Sequence, residues 1–168
     1  GGGINPDLVL EQKKYSSITK TLIAESFIFD FATSFVSEND SIEPPERFVI
    51  SSKTYNDFLF FLEGKGFEFE SLTDVVLKEL IEQAKKENYY ASLETDILAL
   101  KKSLNNSKNN STFLFKEQIK SFLREEIVSR YYYQEGRIIS SLTDDSEVKE
   151  ALRLLNNTSE YHSILNTN

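Results

Sequence analysis

The chain has 168 residues, with 19 Lys and Arg against 27 Asp and Glu, a formal net charge of −8, and neither cysteine nor methionine. That balance argues against a nucleic-acid binder, which carries a basic stripe, and the missing cysteine excludes disulfides and thiolate metal sites. No apolar run approaches the roughly 20 residues of a membrane span, because the best candidate, 22–36, is interrupted by Glu25 and Asp30.

The size suits one domain, which buries roughly 70% of its unfolded surface without staples. With 13 Phe, 8 Tyr and no Trp or Met, phenylalanine has to supply most of the large core volume. Each buried ring removes ~150–250 Å² from water.

In chain order, Gly1-Gly2-Gly3-Ile4-Asn5-Pro6-Asp7 reads as a tight loop delivering a short strand at 8–10. Ser16 or Ser17 caps a single long helix over 18–37. Ile18, Leu22, Phe29 and Val36 form one apolar stripe on it, and Ala24, Phe27, Phe31 and Phe35 a second. Residues 37–46, with Pro44-Pro45, form a polar linker. An extended piece at 47–50 precedes a helix capped by Ser52 that carries Tyr55, Phe58, Leu59 and Leu62.

Phe67-Glu68-Phe69-Glu70 alternates like a strand and is expected to pair with 47–50 in a minor ribbon. Ser71-x-x-Asp74 has the form of a capping box ahead of Val76, Leu77, Leu80, Ile81 and Ala84. A helix from Ser92 or Leu93 turns Leu93, Ile97, Leu100 and Leu104 inward, and 104–112 has loop composition. A helix over 113–134 follows, interrupted at Gly136. Asp144 or Asp145 caps an amphipathic helix with Val148, Ala151, Leu152 and Leu155, and residues after Asn156 are expected to fray. The predicted fold is mainly α: an irregular bundle of five to seven helices with at most a small two-stranded β ribbon.

Catalytic constellations are sparse. There is no Gly-x-Ser-x-Gly, and the sole histidine, His162, falls in the tail. Ser-x-x-Lys occurs at Ser17/Lys20 and Ser146/Lys149, both at expected helix starts, where serine caps and lysine is ordinary surface charge. Thr143-Asp144-Asp145-Ser146-Glu147 lacks the spacing and glycine of a calcium loop. Acids fall mostly on outer helix faces, so solvated surface is the expectation; a carboxylate enzyme needs a deep pocket lined by inward-facing acids. Tyr89-Tyr90 and Tyr131-Tyr132-Tyr133 are candidate recognition surfaces, although consecutive rings on a helix cannot all share a face. Asn-x-Ser/Thr at Asn39, Asn105, Asn109, Asn110, Asn156 and Asn157 is common by composition. No catalytic, cofactor or metal residue is assigned.

Gly-Gly-Gly-Ile-x-Pro-Asp resembles the segment that closes the protease domain in carboxyl-terminal (tail-specific) processing peptidases, especially their long bacterial members. Gly3, Ile4, Pro6 and Asp7 carry the match as structural residues. A second stretch, Ile119-Lys120, Leu123, Arg124, Gly136, Asp145, Val148, Ala151 and Leu154-Leu155, resembles the helical tail of those members.

The resemblance implies a parent serine endopeptidase with a Ser/Lys dyad upstream of this motif and a PDZ domain, acting on protein C-termini in the periplasm. Residues 1–12 would then be the last loop and strand of the protease domain, and 13–168 a non-catalytic helical domain for scaffolding, oligomerisation or docking. Its implied partners are the protease and PDZ domains of the same chain and a second copy in a homodimer, with no nucleic acid. The alternative is an independent helical module that binds a protein or peptide in a groove, with 58–62 and 131–133 the first surfaces to examine.

Overall fold

The computed structural model describes residues 3, 7–11 and 14–165, apart from the side chain of Asn109. Nine helices are present among them: α1 (Ser17–Ala24), α2 (Phe27–Glu38), α3 (Ser52–Gly64), α4 (Leu72–Lys86), α5 (Tyr90–Asn109), α6 (Ser111–Leu114), α7 (Lys116–Thr143), α8 (Ser146–Asn156) and α9 (Thr158–Leu165). The helical class holds; the count of five to seven and the β ribbon do not.

The ribbon is absent among the described residues because both extended pieces lie across helices instead of against each other. Phe48 sets its edge on Phe35 at 6.4 Å and Phe67 its edge on Phe27 at 4.9 Å, so each spends its aromatic ring on α2. Residues 8–10 are likewise not a strand.

The core is a phenylalanine cluster between α2, α3 and α7. Phe31 packs edge-on against Phe58 at 5.1 Å and Phe61 at 5.6 Å, a geometry that sets positive ring edges against negative faces. Ile18, Leu22, Ile28, Ala32, Leu62, Ile119, Leu123 and Ile127 close around it. The expected single helix over 18–37 is two. Glu25 caps α1, and Ser26 takes φ 65, in the left-handed region, before α2 starts again. The break re-aims α2, so Ile28, Phe31 and Ala32 turn inward while Phe29 is left 52% exposed, under the Arg130 guanidinium at 4.1 Å.

Caps follow local chemistry. Ser16 accepts from the Thr19 amide and Ser51, not Ser52, from the Thr54 amide. The Ser71/Asp74 capping box forms as expected. The stretch read as a loop at 104–112 is largely helical: α5 continues to Asn109, with Ser107 Oγ donating to the Ser103 carbonyl at 3.1 Å. Lys108, from its last turn, reaches Asp74 at 3.0 Å and the Phe69 ring at 5.3 Å, and this tertiary anchor overrides weak propensity. The expected frayed end is instead α9. Arg153 grips Glu160 of that helix through Nη1 and Nη2, both at 2.7 Å, and also holds Glu150.

Candidate interaction surfaces

The chain reverses inside α7, and this positions everything after it. Tyr133 has φ 55 and ψ −152, so the helix breaks there, three residues before the expected Gly136. Gly136 has a different task. A Cβ on it would lie 2.2 Å from Tyr132 Cβ, 3.1 Å from Val128 Cγ1 and 3.3 Å from Pro45 Cγ, so only glycine lets the two arms close.

Across the reversal, buried Arg124 donates from Nε to Ser140 Oγ at 3.0 Å and from Nη2 to the Ser140 carbonyl at 2.7 Å. The same Nη2 meets Asp144 Oδ2 at 2.8 Å, just ahead of α8. The linker is strapped over this hairpin. Tyr131 donates its hydroxyl to the Asn39 carbonyl and Tyr132 to the Ile42 carbonyl at 3.2 Å. Only Tyr133 of the three projects, 79% exposed. Of the other surface proposed from sequence, Phe58 and Leu62 are buried core and Phe60 is exposed.

The Ser/Lys pairs lie at helix starts as expected, but the caps are Ser16 and Asp145, not Ser17 and Ser146. Ser17 is exposed at the first turn of α1, next to the cap Ser16. Ser146 opens α8, which Asp145 caps through the Glu147 and Val148 amides at 2.7 and 3.1 Å, while Lys149 reaches back to Asp144 at 3.5 Å. His162 is exposed on α9, its ring 5.8 Å from that of Tyr161. Among the described residues no group of three or more His, Cys, Asp or Glu is arranged to hold a metal ion. Of the amino-terminal motif, Gly3 and Asp7 are exposed, and Ile4 and Pro6 lie outside the described residues.

Three further surfaces stand out among the described residues. In the first, Leu8 and Leu10 share a shallow pocket of about 350 Å³ with Glu147, Glu150, Ala151 and Leu154 of α8, beside exposed Val9, Leu152 and Leu155. This lies next to a trough of about 780 Å³ lined by Glu11, Tyr15, Glu117, Phe122 and the start of α8. Its acids have structural duties: Asp144 holds Arg124 and Asp145 caps α8.

The second surface is a groove of about 690 Å³ between Phe67–Glu70 and the α4–α5 pair. Burial works against the charge of Asp74 in it. The Ser71 hydroxyl and amide and the Lys108 ammonium together outweigh that and hold the carboxyl below its usual range. The third is the apolar surface of α4 and α5: Leu72, Val76 and Leu80 follow one another along α4, and Leu98 and Leu100 of α5 are exposed, while among the described residues of these helices Leu77, Ala84 and Ile97 are the buried ones. Among the described residues no helix is long and apolar enough to cross a membrane.

Helices joined through a buried aromatic core define the class as an all-helical domain. A family model described as the C-terminal helical domain of a probable PDZ-protease matches residues 18–155, and the chain belongs to that family. No curated protein and no solved structure matches it. The sequence resemblance to the C-terminal region of a processing peptidase agrees with this family.

Proposed function

We propose that the chain acts as the non-catalytic brace of a periplasmic carboxyl-terminal processing serine peptidase whose Ser/Lys dyad and PDZ domain lie in the same parent polypeptide. Residues 1–12 belong to the end of the protease domain and 13–168 to the brace. The brace meets the protease through the face formed by residues 7–11 and α8. The observation that carries this reading is the placement of Leu8 and Leu10, which precede the family span 18–155, against Ala151 and Leu154 near its far end. The stretch leading into the domain thereby lines one pocket with its last matched helix. Val9, Leu152 and Leu155 continue that apolar surface outward, and an exposed apolar patch beside a connecting segment suits an inter-domain contact.

The test compares the 168-residue chain with its parent. The isolated chain should cleave no peptide, and the parent should trim unstructured protein C-termini. Leu152→Asp with Leu155→Asp should lower the parent's melting temperature more than that of the isolated chain. Robust peptidase activity in the isolated chain would end the proposal. A second reading, a peptide-binding module, is favoured by the groove beside Phe67–Glu70.

A further inference from the structure

We infer that Phe67–Glu70 is a preformed docking edge for an extended polypeptide segment carrying a Lys or Arg opposite Glu68 and apolar residues beside it. The alternation Phe-Glu-Phe-Glu turns Phe67 and Phe69 to the same side, where their rings stack at 6.2 Å with an interplanar angle of 10°, while Glu68 and Glu70 are exposed.

Both ends of the segment are fixed. The Phe67 amide donates to the Leu62 carbonyl at 3.0 Å, and the Ser71 amide to Asp74 Oδ2 at 2.7 Å. Between these pins the amides and carbonyls of Glu68, Phe69 and Glu70 join no backbone ladder among the described residues. An extended backbone held at both ends with its hydrogen-bonding groups unspent is a template for strand addition. It has already lost the conformational freedom that binding otherwise costs.

The adjoining groove gives the added strand somewhere to lie. Its apolar lining is Ile18, Phe67 and Phe69, and Asn105 and Thr112 add polar groups. Charge selects the occupant. Three carboxylates line the groove, from Glu68, Glu70 and Asp74, against the ammonium groups of Lys78 and Lys108. Lys78 is already on Glu70 and Lys108 on Asp74. Glu68 has no ion-pair partner among the described residues, so the complementary segment brings a cation to that position. This edge is distinct from the α8 face of the proposed brace, and either assignment can fail without the other.

The probe is the capped hexapeptide acetyl-Val-Lys-Val-Lys-Val-Lys-amide, fluorescently labelled and titrated into the 168-residue chain by anisotropy, with amide chemical shifts recorded in parallel. Expected is saturable binding that shifts the amides of 68–70 and Thr112. Methylating the amides of alternate peptide residues should weaken it about tenfold or more, since that removes backbone donors and leaves charge intact. Glu68→Lys, at an exposed position, should weaken binding several-fold with an unchanged helical circular dichroism spectrum. Equal affinity for methylated and unmethylated peptide would reduce the effect to attraction between a basic peptide and an acidic protein, and would overturn the inference. So would the absence of binding by the folded chain, or shifts confined to other surfaces.

Discussion

Gly136→Ala tests the reversal in α7 directly. The new methyl would sit 2.2 Å from Tyr132 Cβ, 3.1 Å from Val128 Cγ1 and 3.3 Å from Pro45 Cγ, whereas non-bonded carbons prefer ~3.5–4.0 Å. The last two contacts yield by a few tenths of an ångström. The first does not, because Tyr132 Cβ is the root of a side chain whose hydroxyl is fixed to the Ile42 carbonyl at 3.2 Å. Relief therefore requires the two arms of the hairpin to separate by roughly an ångström.

Alanine gains ~1 kcal/mol over glycine in helix propensity, against an overpacking cost of ~1–3 kcal/mol or more. With a backbone-anchored clash the upper part of that range applies, leaving a net loss of about 2 kcal/mol. For a domain of this size that lowers the melting temperature by about 4–8 °C, measured by circular dichroism on heating and by urea titration. Gly64→Ala is the internal control, since nothing lies within 4 Å of its Cβ position, and it should be neutral or slightly stabilising. A Gly136→Ala protein that melts at or above the wild-type temperature would refute the closed reversal.

Tyr133→Gly should raise stability by about 1 kcal/mol: φ 55 with ψ −152 is costly for any residue with a Cβ, and the exposed ring contributes little packing. Urea midpoints would show this. Arg124→Ala should cost about 2–3 kcal/mol by removing the guanidinium's hydrogen bonds to Ser140 and its ion pair with Asp144. Hydrogen exchange should speed up in α8, and Arg124→Lys should recover only part of the loss, because an ammonium cannot span both acceptors. Burial, helped by the charge of Glu117, pushes the Tyr55 phenol up to about 12, against an ordinary value near 10. Its contribution is therefore complete below pH ~10 and is lost as pH rises through ~12, roughly 2 kcal/mol in all. Comparing urea midpoints at pH 8 and above pH 11 checks this, and Tyr55→Phe should flatten the difference.

Much of the candidate site was legible in the sequence as pattern and illegible as place. The alternation at Phe67–Glu70 is visible in four letters, yet the ribbon expected from it did not form because Phe67 found Phe27 on α2. The helix α8 forms where the Val148, Ala151, Leu152 and Leu155 spacing places one, but Leu152 and Leu155 are exposed, and nothing local puts Leu8 and Leu10 in a pocket with Ala151 and Leu154. The helix α9 was missed, although Asn157 and Glu160 carry a capping signal: the Asn157 side chain accepts from the Glu160 amide at 3.4 Å and donates to its carboxylate at 2.8 Å.

The amino-acid order by itself determined what depends on neighbours a few residues apart. Apolar spacing specified the helical class, and Ser71 with Asp74 specified a helix start. Tertiary structure decided the events that depend on groups far apart in the chain. It extended α5 through an Asn- and Ser-rich stretch by anchoring Lys108 to Asp74, and it folded α7 back on itself at Tyr133, with Gly136 packed close to Pro45. It also turned a tyrosine triplet into two straps and one exposed ring. Local propensities differ by less than ~1 kcal/mol per residue, so a half-buried ion pair, a ring contact or a close backbone approach is enough to reverse them.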